Sequence, residues 1–154
     1  MRQIKLTKGM VALVDDEDYK RLNRYKWYAY KDRNRWYARR FVSVAMHRTV
    51  IKVPDSVKLD HKNGNGLDNQ KVNLRRATNS QNSANRQIQS NNTSGYKGAQ
   101  FDKRRNRWIA RIRVSGRLLH LGTFPNAESA ARAYDLKAKE VFGEFANLNF
   151  GGEV

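Results

Sequence analysis

The chain has 154 residues and a mass of 17.9 kDa, with 31 Lys and Arg against 14 Asp and Glu, a formal charge of +17 at pH 7, and no cysteine. That length makes one ordinary domain or two small ones, and 39% hydrophobic residues supports modest cores. Disulfides and thiolate zinc sites are excluded, so any metal must take oxygen ligands or the imidazoles of His47, His61 and His120. The cationic excess is spread along the chain, 20 basic against 8 acidic residues in the first 90 and 11 against 6 in the rest, and calls for a polyanionic partner that touches both parts.

The apolar run Met10 to Val14 is too short for a signal-peptide core or a membrane span, and Asp15, Asp16, Glu17 and Asp18 stop it. A soluble, intracellular protein without membrane association is expected. Residues 33–40, RNRWYARR, read as a strand opened by an Asn-containing turn, with an aromatic and an alanine on one face and arginine on the other; RNRWIARI at 105–112 reads the same way. The sequences around the two stretches do not continue to match, which argues against a domain repeat.

VKLDH, residues 57–61, looks like a strand ending at Asp60-His61. The asparagine- and glycine-rich segment that follows is not an EF-hand, because counting from Asp60 puts Lys62 and Gly64 at ligand positions and Lys71 where the final glutamate belongs. The Asn-Gly pairs suit tight turns. Thr78 followed by Gln81 forms a capping box that starts a helix and puts Asn82 in its first turn, from which a carboxylate, an amide oxygen and an imidazole could converge. Asn79 and Asn85 are the alternatives to Asn82 should the helix register differ, and His47 in MHRTV has at most a minor supporting role.

A linker is expected at 89–95, within the polar stretch QIQSNNTSG. Beyond it, RWIARIRVSGRLLHLGTF reads as a hairpin turning at Ser115-Gly116. In that register Trp108, Ala110, Ile112, Leu119 and Leu121 form a core face, and Ile109, Arg111, Arg113, Leu118 and His120 a mostly cationic one. A helix follows from an Asn126 cap to a Gly143 stop, with Ala127, Ala131, Tyr134, Ala138 and Val141 as its buried stripe.

The pieces YKGAQF, ARIR, HLGTF, AARAYD and GEFANLNF, in order over residues 96–150, resemble the plant Apetala-type (ethylene-response-factor) DNA-binding domain. The resemblance implies a three-stranded antiparallel sheet in the DNA major groove, backed by one helix. Carried over by position, Lys97, Gln100, Arg104, Arg105, Trp108, Arg111, Arg113 and His120 would contact DNA. Arg111 stands where the family usually has glutamate, and the loop at Arg104 and Arg105 is one residue longer, so the plant target sequence does not transfer.

Residues 60–85 resemble the HNH nuclease motif of homing endonucleases, in the branch whose last histidine is replaced by asparagine. His61, Asn73 and Asn82 fit the three motif positions at spacings of 12 and 9. The resemblance implies an α+β protein: an N-terminal ββα-metal nuclease domain with extra strands over 1–88, and the sheet-and-helix domain over 96–150. It implies one divalent ion, Mg²⁺ or Mn²⁺, on Asp60 and Asn82, with His61 as general base and Asn73 holding His61 or its loop. The expected function is cleavage of double-stranded DNA by a monomer in the cytoplasm of a bacterial or phage-infected cell. The alternative is a non-catalytic, sequence-specific transcription regulator.

Overall fold

The computed structural model describes residues 1–41 and 44–151. The fold is mixed helix and sheet, built from several small antiparallel sheets. Two compact units divide the chain at the start of the capped helix, Met1–Ala77 and Thr78–Val154.

In the first unit β1 (Arg2–Lys5) and β2 (Val11–Val14) form a hairpin, joined by a turn in which Lys8 and Gly9 both take positive φ. The acids that end the apolar run open α1 (Asp16–Leu22): Asp16, Glu17 and Asp18 fill its first turn and Lys20 and Arg21 its last, which matches the helix dipole at both ends. Next come β3 (Tyr28–Asp32) and β4 (Arg35–Arg40), then the short β5 (Val44–Ala45) that completes a three-stranded sheet, and α2 (Met46–Ile51). One face of the sheet supplies Ala29 and Ala38 to a core shared with Ile4, Val14, Leu22, Trp27, Met46, Val50 and Leu74. The unit ends in β6 (Leu59–His61), paired antiparallel with β7 (Leu74–Arg76). The residues between the two strands, 62–73, form the loop that holds the site.

The second unit opens with α3 (Asn79–Ala84), and the expected capping box is present in full, Thr78 Oγ1 accepting from the Gln81 amide and Gln81 Oε1 from that of Thr78. Residues 89–95 form turns around Asn92, whose Oδ1 accepts the amides of Ser94 and Gly95. A three-stranded sheet follows: β8 (Ala99–Asp102), β9 (Arg107–Val114) in the centre and β10 (Arg117–Phe124). The β9–β10 turn is at Ser115-Gly116, both at positive φ as a two-residue hairpin loop demands. The helix α4 (Ala127–Phe142) lies on the sheet, with Asn126 Oδ1 accepting the Ser129 amide and Gly143 at its C-cap.

Two details of this unit differ from the sequence reading. The register holds from Val114↔Arg117 to Arg111↔His120, then shifts so that Ala110 meets Gly122, leaving Leu121 as an extra residue. Leu119, expected in the core, is 38% exposed, while Ile109, expected on the cationic face, is buried in the central strand between Gln100 and Thr123. The buried stripe of α4 is Ala130, Ala131, Tyr134, Asp135, Ala138 and Phe142; Ala127 and Val141 are only half-buried. Asp135 is fully buried because its carboxylate fastens the C-terminal tail, accepting from the Asn149 amide, Asn149 Nδ2 and the Phe150 amide at 3.0, 2.9 and 3.0 Å.

Candidate functional site

Asp60 and His61 are adjacent on β6, and alternation along the strand sends their side chains to opposite faces. Both are buried. The Asp60 carboxylate meets its register partner Arg75, whose Nη2 and Nε lie 3.0 and 3.1 Å from Oδ2. Burying an anion this deeply is tolerable only with such a partner. His61 stands among rings: its centroid is 5.2 Å from that of His47, nearly perpendicular, and 5.9 Å from that of Tyr37 on β4.

The pKa of His61 is lowered, chiefly by burial and further by Arg35, against the opposing effect of a hydrogen bond with Asn69 and of the charges of Asp60 and Asp68. Burial, with His61, Arg48 and Arg39, pushes His47 down to about 3. Both imidazoles are therefore neutral at neutral pH, and His61 is in the form that can accept a proton.

The loop from His61 to Asn73 is braced by side-chain hydrogen bonds to its own backbone. Asn73 Oδ1 accepts the Asn63 amide at 3.0 Å and its Nδ2 donates to Asp68 O at 2.8 Å, so one side chain spans the loop. The Asn73 carbonyl accepts the Lys62 amide. Asn63, Asn65 and Asp68 each accept a backbone amide two residues ahead, and Asn63 Nδ2 also reaches Asp68. The far end of the loop is pinned to β2: the Leu13 amide donates to Leu67 O, the Asn69 amide to Leu13 O, and the Lys71 amide to Asp15 Oδ2. Gly66 lies flat on β4, where a Cβ would come within 2.3 Å of Trp36 O and 2.5 Å of Tyr37 Cδ1. No bulkier residue fits there without displacing the loop.

Asp60, His61 and Asn73 all lie in the first unit, Asp60 and His61 on opposite faces of β6, and Asn73 holds the loop that follows His61. Asn82 lies half-buried on α3 in the second unit, where Asn79 is exposed and Asn85 buried. Among the described residues no group of three or more histidine and carboxylate side chains is arranged to hold a metal ion. The sequence reading missed Asn69, Arg75, Tyr37 and Gly66; for Arg75 the one available signal was its place opposite Asp60 in a β6–β7 pairing. His47, given a minor role, is in direct ring contact with His61.

On the second unit, the face of the sheet turned away from α4 presents Gln100, Arg111, Arg113 and His120, with Arg111 Nη1 3.4 Å from Gln100 Oε1 and Arg113 donating to Gly116 O. Arg104 and Arg105 are exposed in the β8–β9 turn, their amides donating to Asp102 Oδ1. Trp108 packs on the α4 side with Ala99, Ala110, Ala130 and Ala131. The Lys97 ammonium donates to Ala84 O and Asn147 O at 2.8 and 2.6 Å, closing the end of α3.

No protein-family model matches the chain, and no solved structure does. An uncharacterised HNH endonuclease of Acanthamoeba polyphaga mimivirus is 32% identical over 151 residues, 92% of this chain and 76% of the relative. Protein 3.8 of Escherichia phage T7 is 32% identical over 96 residues, 62% of this chain and 78% of that protein. The dehydration-responsive element-binding protein 2A of Arabidopsis thaliana is 52% identical over 46 residues, 29% of this chain but only 14% of the plant protein. The chain belongs to the HNH endonuclease family and has a C-terminal part similar to plant Apetala-type DNA-binding domains.

Proposed function

We propose that the protein is a metal-dependent endonuclease that hydrolyses phosphodiester bonds in double-stranded DNA and is targeted by the second unit's sheet. The observation that supports this most directly is the pairing of a buried, ion-paired Asp60 with a neutral His61 on one short strand. In this reading β6 and β7 are the two strands of the nuclease's ββα element.

One Mg²⁺ or Mn²⁺ would be held on hard oxygen donors, the Asp60 carboxylate first among them; the chain has no thiolate, and an ion with few protein ligands keeps positions for water and a phosphate oxygen. When bound, the ion supplies charge neutralisation for the phosphate and its leaving oxygen. His61, neutral at working pH, takes the proton of the attacking water. Asn69 fixes the imidazole by its hydrogen bond, and Asn73 fixes the loop behind it. Gln100, Arg111, Arg113 and His120 read the major groove, and Arg104 and Arg105 reach the flanking backbone. Tethering the cutting unit to a reading unit raises its effective concentration at the site.

The plant relatives favour a second reading, a DNA-binding regulator without cleavage. Supercoiled plasmid incubated with the protein and Mg²⁺ or Mn²⁺, with and without EDTA, separates the two. Relaxed or linear product that disappears with EDTA is the expected result; band-shift binding with no metal-dependent product would establish the regulator.

A further inference from the structure

The outward face of the β3–β4 sheet takes no part in the proposed hydrolysis. Register puts Tyr28 opposite Arg39, Tyr30 opposite Tyr37 and Asp32 opposite Arg35 on this face, while Ala29 and Ala38 go to the core. Tyr30 is exposed, and the Arg39 guanidinium lies 3.9 Å above its ring. Arg39 Nε is buried and has no hydrogen-bond partner among the described residues. A planar cation stacked on an exposed aromatic is suited to an anionic oxygen. The same face runs directly to the site: Tyr37 touches the rings of both His47 and His61, and the positive charges of Arg39 and Arg35 are felt at those two histidines.

We infer that this face, centred on Tyr30, Arg35, Tyr37 and Arg39, is a second DNA-docking surface, which grips the phosphate backbone and leads it to His61. It deepens the nuclease reading and rests on it for the destination of the DNA, but the docking itself needs neither metal nor cleavage. The occupant is duplex DNA by charge complementarity, since the unit carries most of the chain's basic excess. Stacked arginines and tyrosines on a sheet give affinity without base readout, which complements a second unit that reads sequence.

The test measures binding of the full-length chain to a fluorescein-labelled duplex of mixed sequence, in EDTA, over a range of salt. Each phosphate that the protein no longer neutralises lowers the slope of log K against log salt by about 0.9. Arg39→Gln should lower it by about 1 and the Arg35→Gln, Arg39→Gln double variant by about 2. Arg39→Lys, which keeps the charge, should restore the slope, whereas a merely structural Arg39 would not be rescued this way. Arg132→Gln, on α4 and paired with Glu128, serves as the control that leaves the slope unchanged. A folded double variant with the native slope would overturn the inference. Absence of plasmid cleavage would refute the nuclease reading and leave this result standing.

Discussion

Arg75 on β7 places two guanidinium nitrogens 3.0 and 3.1 Å from a single oxygen of Asp60, its partner across the β6–β7 pair, and both side chains are almost wholly out of solvent. Removing one member of such a buried pair costs about 3–5 kcal/mol. Arg75→Ala should therefore lower the urea midpoint strongly, and adding Asp60→Asn should recover part of the loss by removing the buried negative charge. A midpoint unchanged in Arg75→Ala would mean that the pair does not hold the hairpin.

The buried His61 and the half-buried His47 set a direction for pH. His47 in the fold has its pKa at about 3, below the ordinary 6.5, so between those values the unfolded chain binds more protons than the folded one. Its contribution to stability is fully present above pH 6.5 and is lost as pH falls toward about 3; His61 acts in the same direction. Denaturant titrations over this window should show stability falling with acidification, with a shallower slope in His47→Gln. An equally steep slope in that variant would contradict the assignment.

Gly66 tests the loop. The Cβ of an alanine would press on Trp36 O and the Tyr37 ring, and backbone on one side cannot yield cheaply. Gly66→Ala should cost about 1–3 kcal/mol and abolish cleavage, because the loop that follows His61 is displaced. Native turnover in Gly66→Ala would show that the loop has more room than its packing on β4 allows.

Asp135 makes the matching prediction for the second unit. Its carboxylate satisfies three N–H donors of Asn149 and Phe150, while Asn149 also accepts from the Lys97 amide and donates to the Lys97 carbonyl. Each buried donor left unsatisfied costs about 1–3 kcal/mol. Asp135→Ala should lower the melting temperature and, by loosening the strand lead-in at Lys97, weaken DNA binding; an unchanged melt would show that the tail is dispensable.

How much of the fold and the site is legible in the sequence depends on how local the physics is. The Thr78–Gln81 box, the Asn126 cap and the Ser115-Gly116 turn each involve residues within four positions of one another, and all three form. The hairpin faces follow the alternation until Leu121, where one extra residue shifts the pairing, something no alternation of residue types announces. Ile109 is buried in the middle strand although it shares a face with Arg111 and Arg113, which its own pattern does not announce. Asp135 escapes notice because a buried acid on a helix looks like a solvated one until its tail partners are in place. At the site, the motif spacing marks His61, Asn73 and Asn82, with Asp60 beside His61, but Asn69, Arg75 and Tyr37 become neighbours of Asp60 and His61 only through loop closure and cross-strand register.

The measurement that tests the central claim most directly is single-turnover cleavage of bound duplex DNA by the native chain and by His61→Ala, at saturating protein with Mg²⁺ or Mn²⁺. Loss of a general base should slow the step about 10²–10⁴-fold while the dissociation constant for DNA stays near the native value. Equal cleavage rates in the two proteins would show that the proton of the attacking water goes elsewhere and that the strand bearing Asp60 and His61 is not the reactive centre.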